Sequence, residues 1–181
     1  MSPLAVINKY YPTDTPLRRL LLHHSWQVTD LALRCANAHP ELDLNKSLVL
    51  SGGLLHDVGI FLCHAPKIHC TGKSHYLLHG FLGARLMRDE GLEAIARICE
   101  RHTGAGLRKD ALLPLGLQML PHDFLPETLE EQLICYADKF YSKSRPENAL
   151  TYEQALHALL RFGEDGAQRF RQWHKMFAVS D

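Results

Sequence analysis

An apolar run that ends in two groups able to carry charge constrains this chain more than any other stretch. Residues Leu48 to Leu55 deliver His56 and Asp57, followed by Val58 and Gly59, into what has to be the interior. An ionised aspartate buried without a partner costs several kcal/mol or more. Such a pair therefore coordinates a metal, neutralises a charge, or closes a His-Asp hydrogen bond that only orients a helix. The dipeptide leaves these alternatives open, and the rest of the chain has to separate them.

The surrounding periodicity is helical. Thr15 and Pro16 offer a cap and a first helical position. From there Leu17, Leu20, Leu21, His24, Val28, Leu31 and Cys35 recur at three- and four-residue steps as one stripe. His24 lies on that stripe, whereas His23 falls with Arg19, Gln27, Asp30 and Arg34 on the solvated side. A second helix is expected behind Asp43 as its cap and runs to the His-Asp pair, with Gly52 and Gly53 marking a close approach or a break. The segment from Cys63 to Lys73 reads as an active-site loop in which His64 and His69 could shape a pocket; its Cys-His and His-Cys pairs lack a standard zinc spacing. A third helix should run from about Ser74 to Glu90, stopped by Gly91, with His75, Leu78, His79, Leu82 and Leu86 on its inner stripe. A fourth, Leu92 to His102, carries Ile95, Ile98, Cys99 and His102 on one side.

Thr103 to Pro126 is rich in glycine and proline and reads as a long loop with one short helical piece, of the kind that covers a site or sets specificity. A fifth helix, entered at Pro126 and Glu127, runs to Tyr141; it is apolar round most of its circumference and contains Asp138, a buried acid that needs a cation. Two amphipathic helices follow, Tyr152 to Arg161 and about Glu164 to Phe177. Thr151 and Gln154 offer a capping box for the first, and Phe170, Trp173 and Phe177 close the core. His122, His157 and His174 are expected at the surface.

Composition narrows the function classes. Lysine plus arginine equals aspartate plus glutamate at 20 each, so no net field draws the chain to polymeric nucleic acid or to an acidic membrane. No apolar run approaches the roughly 20 residues that span a bilayer, and the N-terminus lacks the basic region and cleavage site of a signal peptide. Five scattered cysteines do not suggest a disulfide framework, and a cytoplasmic location fits them. The unusual count is 12 histidines, a residue that ligates metals and moves protons near neutral pH.

The inward-facing groups in chain order are His24, His56, Asp57, His79, His102 and Asp138. Here the chain resembles the HD superfamily of metal-dependent phosphohydrolases, particularly bacterial HDIG-type proteins, in which a His, a His-Asp pair, further histidines and an Asp follow one another. The pieces that carry the resemblance are His24-Ser25, His56-Asp57-Val58-Gly59, His79-Gly80, Glu100-Arg101-His102-Thr103-Gly104 and Ala137-Asp138-Lys139. They cover residues 16–145 or so, and Val58 stands where the HDIG name has Ile. The resemblance implies an all-α HD-domain helical bundle of about six to eight helices, with residues 1–181 a single domain and C-terminal packing helices in 151–178. It further implies that His24, His56, Asp57 and Asp138 bind one metal ion, and that His79 and His102 hold a second with Asp57 bridging. His75 rivals His79 for that role; His79 precedes a glycine and fits the family pattern better.

The donor set contains no thiolate and suits divalent Fe, Mn, Zn, Ni or Co without distinguishing among them. Two ions about 3.5 to 4 Å apart can bind a bridging water, lower its pKa and grip the oxygens of a phosphoester. The expected activity is therefore hydrolysis of a phosphoester or nucleotide by attack of a metal-bridging hydroxide, with Asp57 as the catalytic residue that also orients the nucleophile. Lys139, Lys143 and Thr103 are the candidate substrate contacts, the alternative for the lysines being a solvated basic face. Arg101 is either a phosphate ligand or a cation favoured at a helix C-terminus. The partner would be a small phosphorylated molecule, a nucleotide among the candidates. Two other readings keep the fold. A mixed-valent di-iron oxygenase would use the same ligands, but Ile60 stands where such enzymes often carry Lys or His. A non-catalytic nucleotide-binding signalling domain is disfavoured by the full ligand set.

Overall fold

Caps and glycines decide where the helices of this chain begin and how closely they meet. The computed structural model describes residues 2–179. Its first helix, α1 (Pro3–Tyr10), was not anticipated from the sequence; it is short, starts on Ser2, whose hydroxyl accepts from the Ala5 amide, and buries Val6 and Ile7. The next residue, Tyr11, donates its hydroxyl to the Val58 carbonyl at 2.8 Å, which ties this helix to the His-Asp turn.

Helix α2 (Pro16–Ala38) begins as expected, with the Thr15 hydroxyl accepting from the Arg18 amide at 3.2 Å. Helix α3 (Lys46–Leu55) begins two residues later than expected. Asn45 is its cap, and Asp43 instead adopts a left-handed φ of 47° after a single 3-10 turn at Pro40–Leu42. The glycines of α3 do mark close approaches. A Cβ on Gly52 would lie 2.4 Å from Ile98 and 2.9 Å from Ile134, and one on Gly53 would lie 2.5 Å from Thr29. Helix α3 is thus wedged against α2 on one side and the fourth and fifth expected helices on the other.

The segment after Gly59 is not a plain loop: a 3-10 turn at Ile60–Leu62 leads into a small sheet. Strand β1 (Cys63–Ala65) pairs antiparallel with β2 (Cys70–Thr71), with His64 opposite Thr71, and parallel with β3 (Ser74–His75), with His64 opposite His75; the order is β2-β1-β3. Ser74 and His75 therefore leave the helix expected for them. The amides of Gly72 and Lys73 donate to the Cys63 and Leu62 carbonyls, which holds the chain extended there. Helix α4 (His79–Asp89) starts only at His79, and Gly91, at φ 72°, turns the chain into α5 (Glu93–Arg101). Helices α4 and α5 make the most extensive helix pair in the bundle. A Cβ on Gly80 would lie 2.4 Å from the Cys99 carbonyl oxygen.

Residues 103–126 form the expected long connection with one 3-10 turn, Leu113–Leu115, and close a small apolar cluster of their own around Leu112, Leu120 and Phe124. Helix α6 (Leu129–Asp138) opens with a reciprocal capping box between Thr128 and Glu131, and it ends at Asp138, so Lys139, Phe140 and Tyr141 lie in the turn beyond it. Helices α7 (Tyr152–Leu160) and α8 (Glu164–Phe177) follow the sequence expectation, including the Thr151/Gln154 box and the burial of Phe170, Trp173 and Phe177. His174 is an exception to its expected surface role: its ring stacks on Tyr152 at 3.8 Å and bonds the Tyr136 hydroxyl at 2.9 Å.

The fold is all-α, with eight α-helices and one sheet of two- and three-residue strands among the described residues. Two apolar clusters make up most of the core, one centred on α6 and α8 and one on α1, α4 and the end of α3; α2, α3 and α5 contribute to both. No helix among the described residues is long and apolar enough to cross a membrane.

Candidate metal centre

Three of the four inward histidines stand at helix ends, and this position fixes their chemistry. A helix leaves the carbonyls of its last turn without amide partners. His56 follows the last residue of α3 and turns its Nδ1 onto the Gly53 carbonyl at 2.7 Å. His102 follows the last residue of α5 and does the same with the Cys99 carbonyl at 2.7 Å. His79, at the start of α4, bonds the Tyr76 carbonyl at 2.6 Å, and the Tyr76 ring stacks on it at 4.7 Å. A carbonyl oxygen only accepts, so each Nδ1 carries a proton, and when the ring is neutral its lone pair is at Nε2. His24 is different: it lies within α2, where the carbonyls below it are already bonded, and its Nδ1 is buried without a partner.

All the Nε2 atoms converge on two carboxylates. His24 Nε2 lies 3.2 Å from Asp57 Oδ2 and 3.0 Å from Asp138 Oδ1; His56 Nε2 lies 3.1 Å and 3.6 Å from the same two oxygens. The other Asp57 oxygen, Oδ1, faces His79 Nε2 at 3.3 Å and His102 Nε2 at 3.4 Å. Asp57 thus divides its oxygens between two histidine pairs. The side chains form two groups able to hold a metal ion, His24, His56, Asp57 and Asp138 in one, Asp57, His79 and His102 in the other, and all six residues are buried.

The donors present fit a cation in each group. His79 and His102 point Nε2 lone pairs at each other across 2.9 Å, and both point at a carboxylate oxygen. Such a set repels itself unless a positive charge lies between its members. His56 Nε2 and both Asp57 oxygens are buried without a well-aligned hydrogen-bond partner, the condition expected of ligand atoms. Neutral imidazoles and carboxylates without a thiolate are donors for divalent transition metals.

Electrostatics point the same way. Burial would raise the Asp57 carboxyl, but Lys143 and His56 outweigh it and hold it well below the usual carboxylate range. Asp138 is held low against its own burial by Lys139 and Lys143. Burial pushes the His79 imidazole down to about 3 and lowers His102, which keeps both neutral. Burial also acts to lower His56, yet the Asp57 and Asp138 carboxylates outweigh it and raise it to about 9.

The two lysines are not a solvated basic face. Lys143 Nζ lies 2.5 Å from Asp57 Oδ2 and Lys139 Nζ 2.7 Å from Asp138 Oδ2, both side chains nearly buried. Both line a cavity of about 540 Å³ that Asp138 also lines. Thr103 is set back from it: Gly104 lines the cavity, while the Thr103 hydroxyl packs against Gly80. Arg101 turns away from the centre, donating to the Leu125 carbonyl and pairing with Glu127 at 2.9 Å. His75, His64 and His69 are exposed and outside the cluster. Of the 103–126 connection only Gly104 reaches the cavity, which is also lined by α7 and Phe162. Those residues and Tyr76 had no signal in the sequence beyond apolar and aromatic character.

The family described as the HD domain matches residues 21–142. An uncharacterized protein of Methanocaldococcus jannaschii is 41% identical over 110 residues, 60% of this chain and 56% of that protein. A tRNA (cytidine(56)-2'-O)-methyltransferase of Thermoplasma volcanium is 30% identical over 178 residues, 97% of this chain and 46% of its own length. A protein of the same name from Picrophilus torridus is 33% identical over 127 residues, 70% of this chain and 33% of its own length. The chain therefore spans about half or less of the length of these relatives. Among solved structures, the HD domain of the L. monocytogenes phosphodiesterase PgpH superposes with a TM-score of 0.56 at 19% identity, covering 98% of this chain and 89% of that one. The same domain in complex with cyclic-di-AMP gives 0.57, also at 19% identity, with 99% and 89% covered. At that identity the likeness is one of fold.

Proposed function

The chain belongs to the HD-domain family, and on that premise we propose that it is a metal-dependent phosphohydrolase that cleaves the phosphoester of a nucleotide or similar small phosphorylated molecule. The observation that carries this reading is the division of the Asp57 carboxylate between two histidine pairs. In this reading His24, His56, Asp57 and Asp138 hold one divalent transition metal ion, and Asp57, His79 and His102 hold a second. Bound there, such ions supply Lewis acidity toward phosphoryl oxygens and make water acidic enough to act as a nucleophile near neutral pH.

The chain's own residues do the rest. Asp57 orients the attacking water at the centre. Lys139 and Lys143, facing the cavity, offset the charge on the phosphoryl oxygens in the transition state. Over the reaction the water gives up a proton as its oxygen bonds to phosphorus, the P–O bond to the organic group breaks, and the released alkoxide takes up a proton and leaves as an alcohol. The nucleotide assignment is supported by the cavity and its cations, and by the cyclic dinucleotide bound to a structural neighbour. Five buried free cysteines support a reducing compartment, and we place the protein in the cytoplasm. Methyl transfer, in the names of two relatives, is not carried over to this chain, which aligns with less than half of each.

The test is anaerobic purification with elemental analysis, followed by a screen of phosphoesters and nucleotides. Metal-dependent release of phosphate or nucleotide is expected. His56→Ala and Asp57→Ala should each reduce it by more than about 100-fold, since even residues behind metal ligands cost about 10- to 100-fold. Metal-loaded protein that hydrolyses nothing in a broad panel, or variants that keep wild-type rates, would overturn the reading. Dioxygen uptake with an iron EPR signal would replace it with oxygenation.

A further inference from the structure

The lining of the cavity at the metal centre is chemically mixed. Asp138, Lys139 and Lys143 line it, and so do Ala158 and Leu159 of α7 and Phe162 just after it. Phe162 is 87% exposed, the most exposed large apolar side chain among the described residues. A single exposed apolar residue is ordinary on a protein surface. This one lines a cavity that Tyr76 and Tyr141 also line, so three aromatic side chains share one lining with Lys139 and Lys143.

We propose that α7 and Phe162 form the subsite for the organic half of the substrate, and that this half is a nucleobase. The proposal rests on the phosphohydrolase reading of the adjoining centre and goes further by naming what the enzyme recognises. A ligand that satisfies both the cations and the apolar side chains of this lining is an anion carrying a flat, mostly apolar ring, and every base offers a face for stacking on an aromatic side chain. A volume near 540 Å³ falls in the range of cavities that enclose one small molecule. The Ser142 and Ser144 hydroxyls, 3.0 Å apart on the cavity lining, supply polar contacts for ring edges. Residues 152–162 lie beyond the segment matched to the HD-domain family, 21–142. The 103–126 connection, which the sequence offered as the specificity element, contributes only Gly104.

The experiment compares AMP, GMP, CMP and UMP with ribose 5-phosphate, which keeps the sugar and phosphate and lacks the base. Dissociation constants are measured by calorimetry on metal-loaded protein, or KM where turnover occurs. At least one nucleotide should bind about tenfold or more tightly than ribose 5-phosphate, and Phe162→Ala should remove about tenfold of that preference. Ala158→Trp, at an exposed helical position on the same lining, takes up space in the cavity and should also weaken the nucleotide selectively. Equal affinity for all five compounds, no binding of any nucleotide, or variants that weaken nucleotide and sugar phosphate alike would overturn the subsite. Selective nucleotide binding without turnover of any phosphoester would refute the hydrolase and leave the subsite standing; turnover without base preference would do the reverse.

Discussion

Asp57 Oδ2 is claimed twice. It belongs to the group formed with His24, His56 and Asp138, and the Lys143 ammonium lies 2.5 Å from it. A metal ion held through that oxygen and the lysine therefore compete for one negative charge. Losing one partner of a buried ion pair costs about 3 to 5 kcal/mol, with the lower end appropriate to a lysine that keeps some contact with the cavity. Lys143→Met should accordingly lower the melting temperature of the metal-free protein, tighten binding of the first ion about tenfold, and raise KM for the phosphorylated substrate. Thermal melts with and without metal, together with a metal titration, read all three. If the variant melted lower by the same amount in both states, Lys143 would be a plain structural partner and the competition would be absent.

At the level of elements, what the sequence makes legible is periodicity, and what it hides is where periodicity stops. The stripe through His24 was readable because α2 is regular for its whole length, and Phe170, Trp173 and Phe177 were readable for the same reason in α8. His56, His79 and His102 share one device, a terminal imidazole bonded to a carbonyl three residues back. It depends on helices ending or beginning at those residues, and a stripe does not mark ends. The same blindness put Ser74 and His75 in a helix when Gly72 and Lys73 hold them in a strand, and it extended α6 past Asp138, so that two lysines of a turn looked like a helical face. Glycines locate the contacts better. A Cβ on Gly59 would lie 2.4 Å from the His79 carbonyl oxygen and 2.5 Å from the Gly83 amide, so an added methyl has to push α4 away from the His-Asp turn. Gly59→Ala should cost about 1 to 3 kcal/mol of stability, a few degrees or more in a chain of this size. It should also lose the second ion, because Asp57 and His79 sit on opposite sides of that contact. Gly91→Ala is the control: its left-handed φ of 72° makes alanine strained, but nothing lies within 4 Å of the new Cβ. Both variants should melt lower, and elemental analysis should show one ion in Gly59→Ala and two in Gly91→Ala.

Across the whole molecule the metal groups join residues from α2, the end of α3, the start of α4, the end of α5 and the end of α6, so ion binding and the stability of the bundle are linked. In the metal-free protein two opposite pH limbs result. His79 and His102 have pKa values lowered below the unfolded value of about 6.5, His79 to about 3. The unfolded chain then takes up protons that the folded chain refuses, and stability is lost as pH falls below about 6.5 toward the folded value. His56 is raised to about 9, so its contribution is complete below about 6.5 and is lost as pH rises through 9. A metal ion requires His56 neutral and so removes the alkaline limb, releasing the proton that the Asp57 and Asp138 carboxylates had retained. Ion binding should therefore tighten from pH 6.5 to 9, by at most about 3.4 kcal/mol for a single proton over that span. The difference in melting temperature between metal-loaded and chelator-treated protein should widen across the same interval. A difference that stayed constant from pH 6.5 to 9 would mean that no proton leaves when the ion arrives, and His56 would lose its place as a ligand.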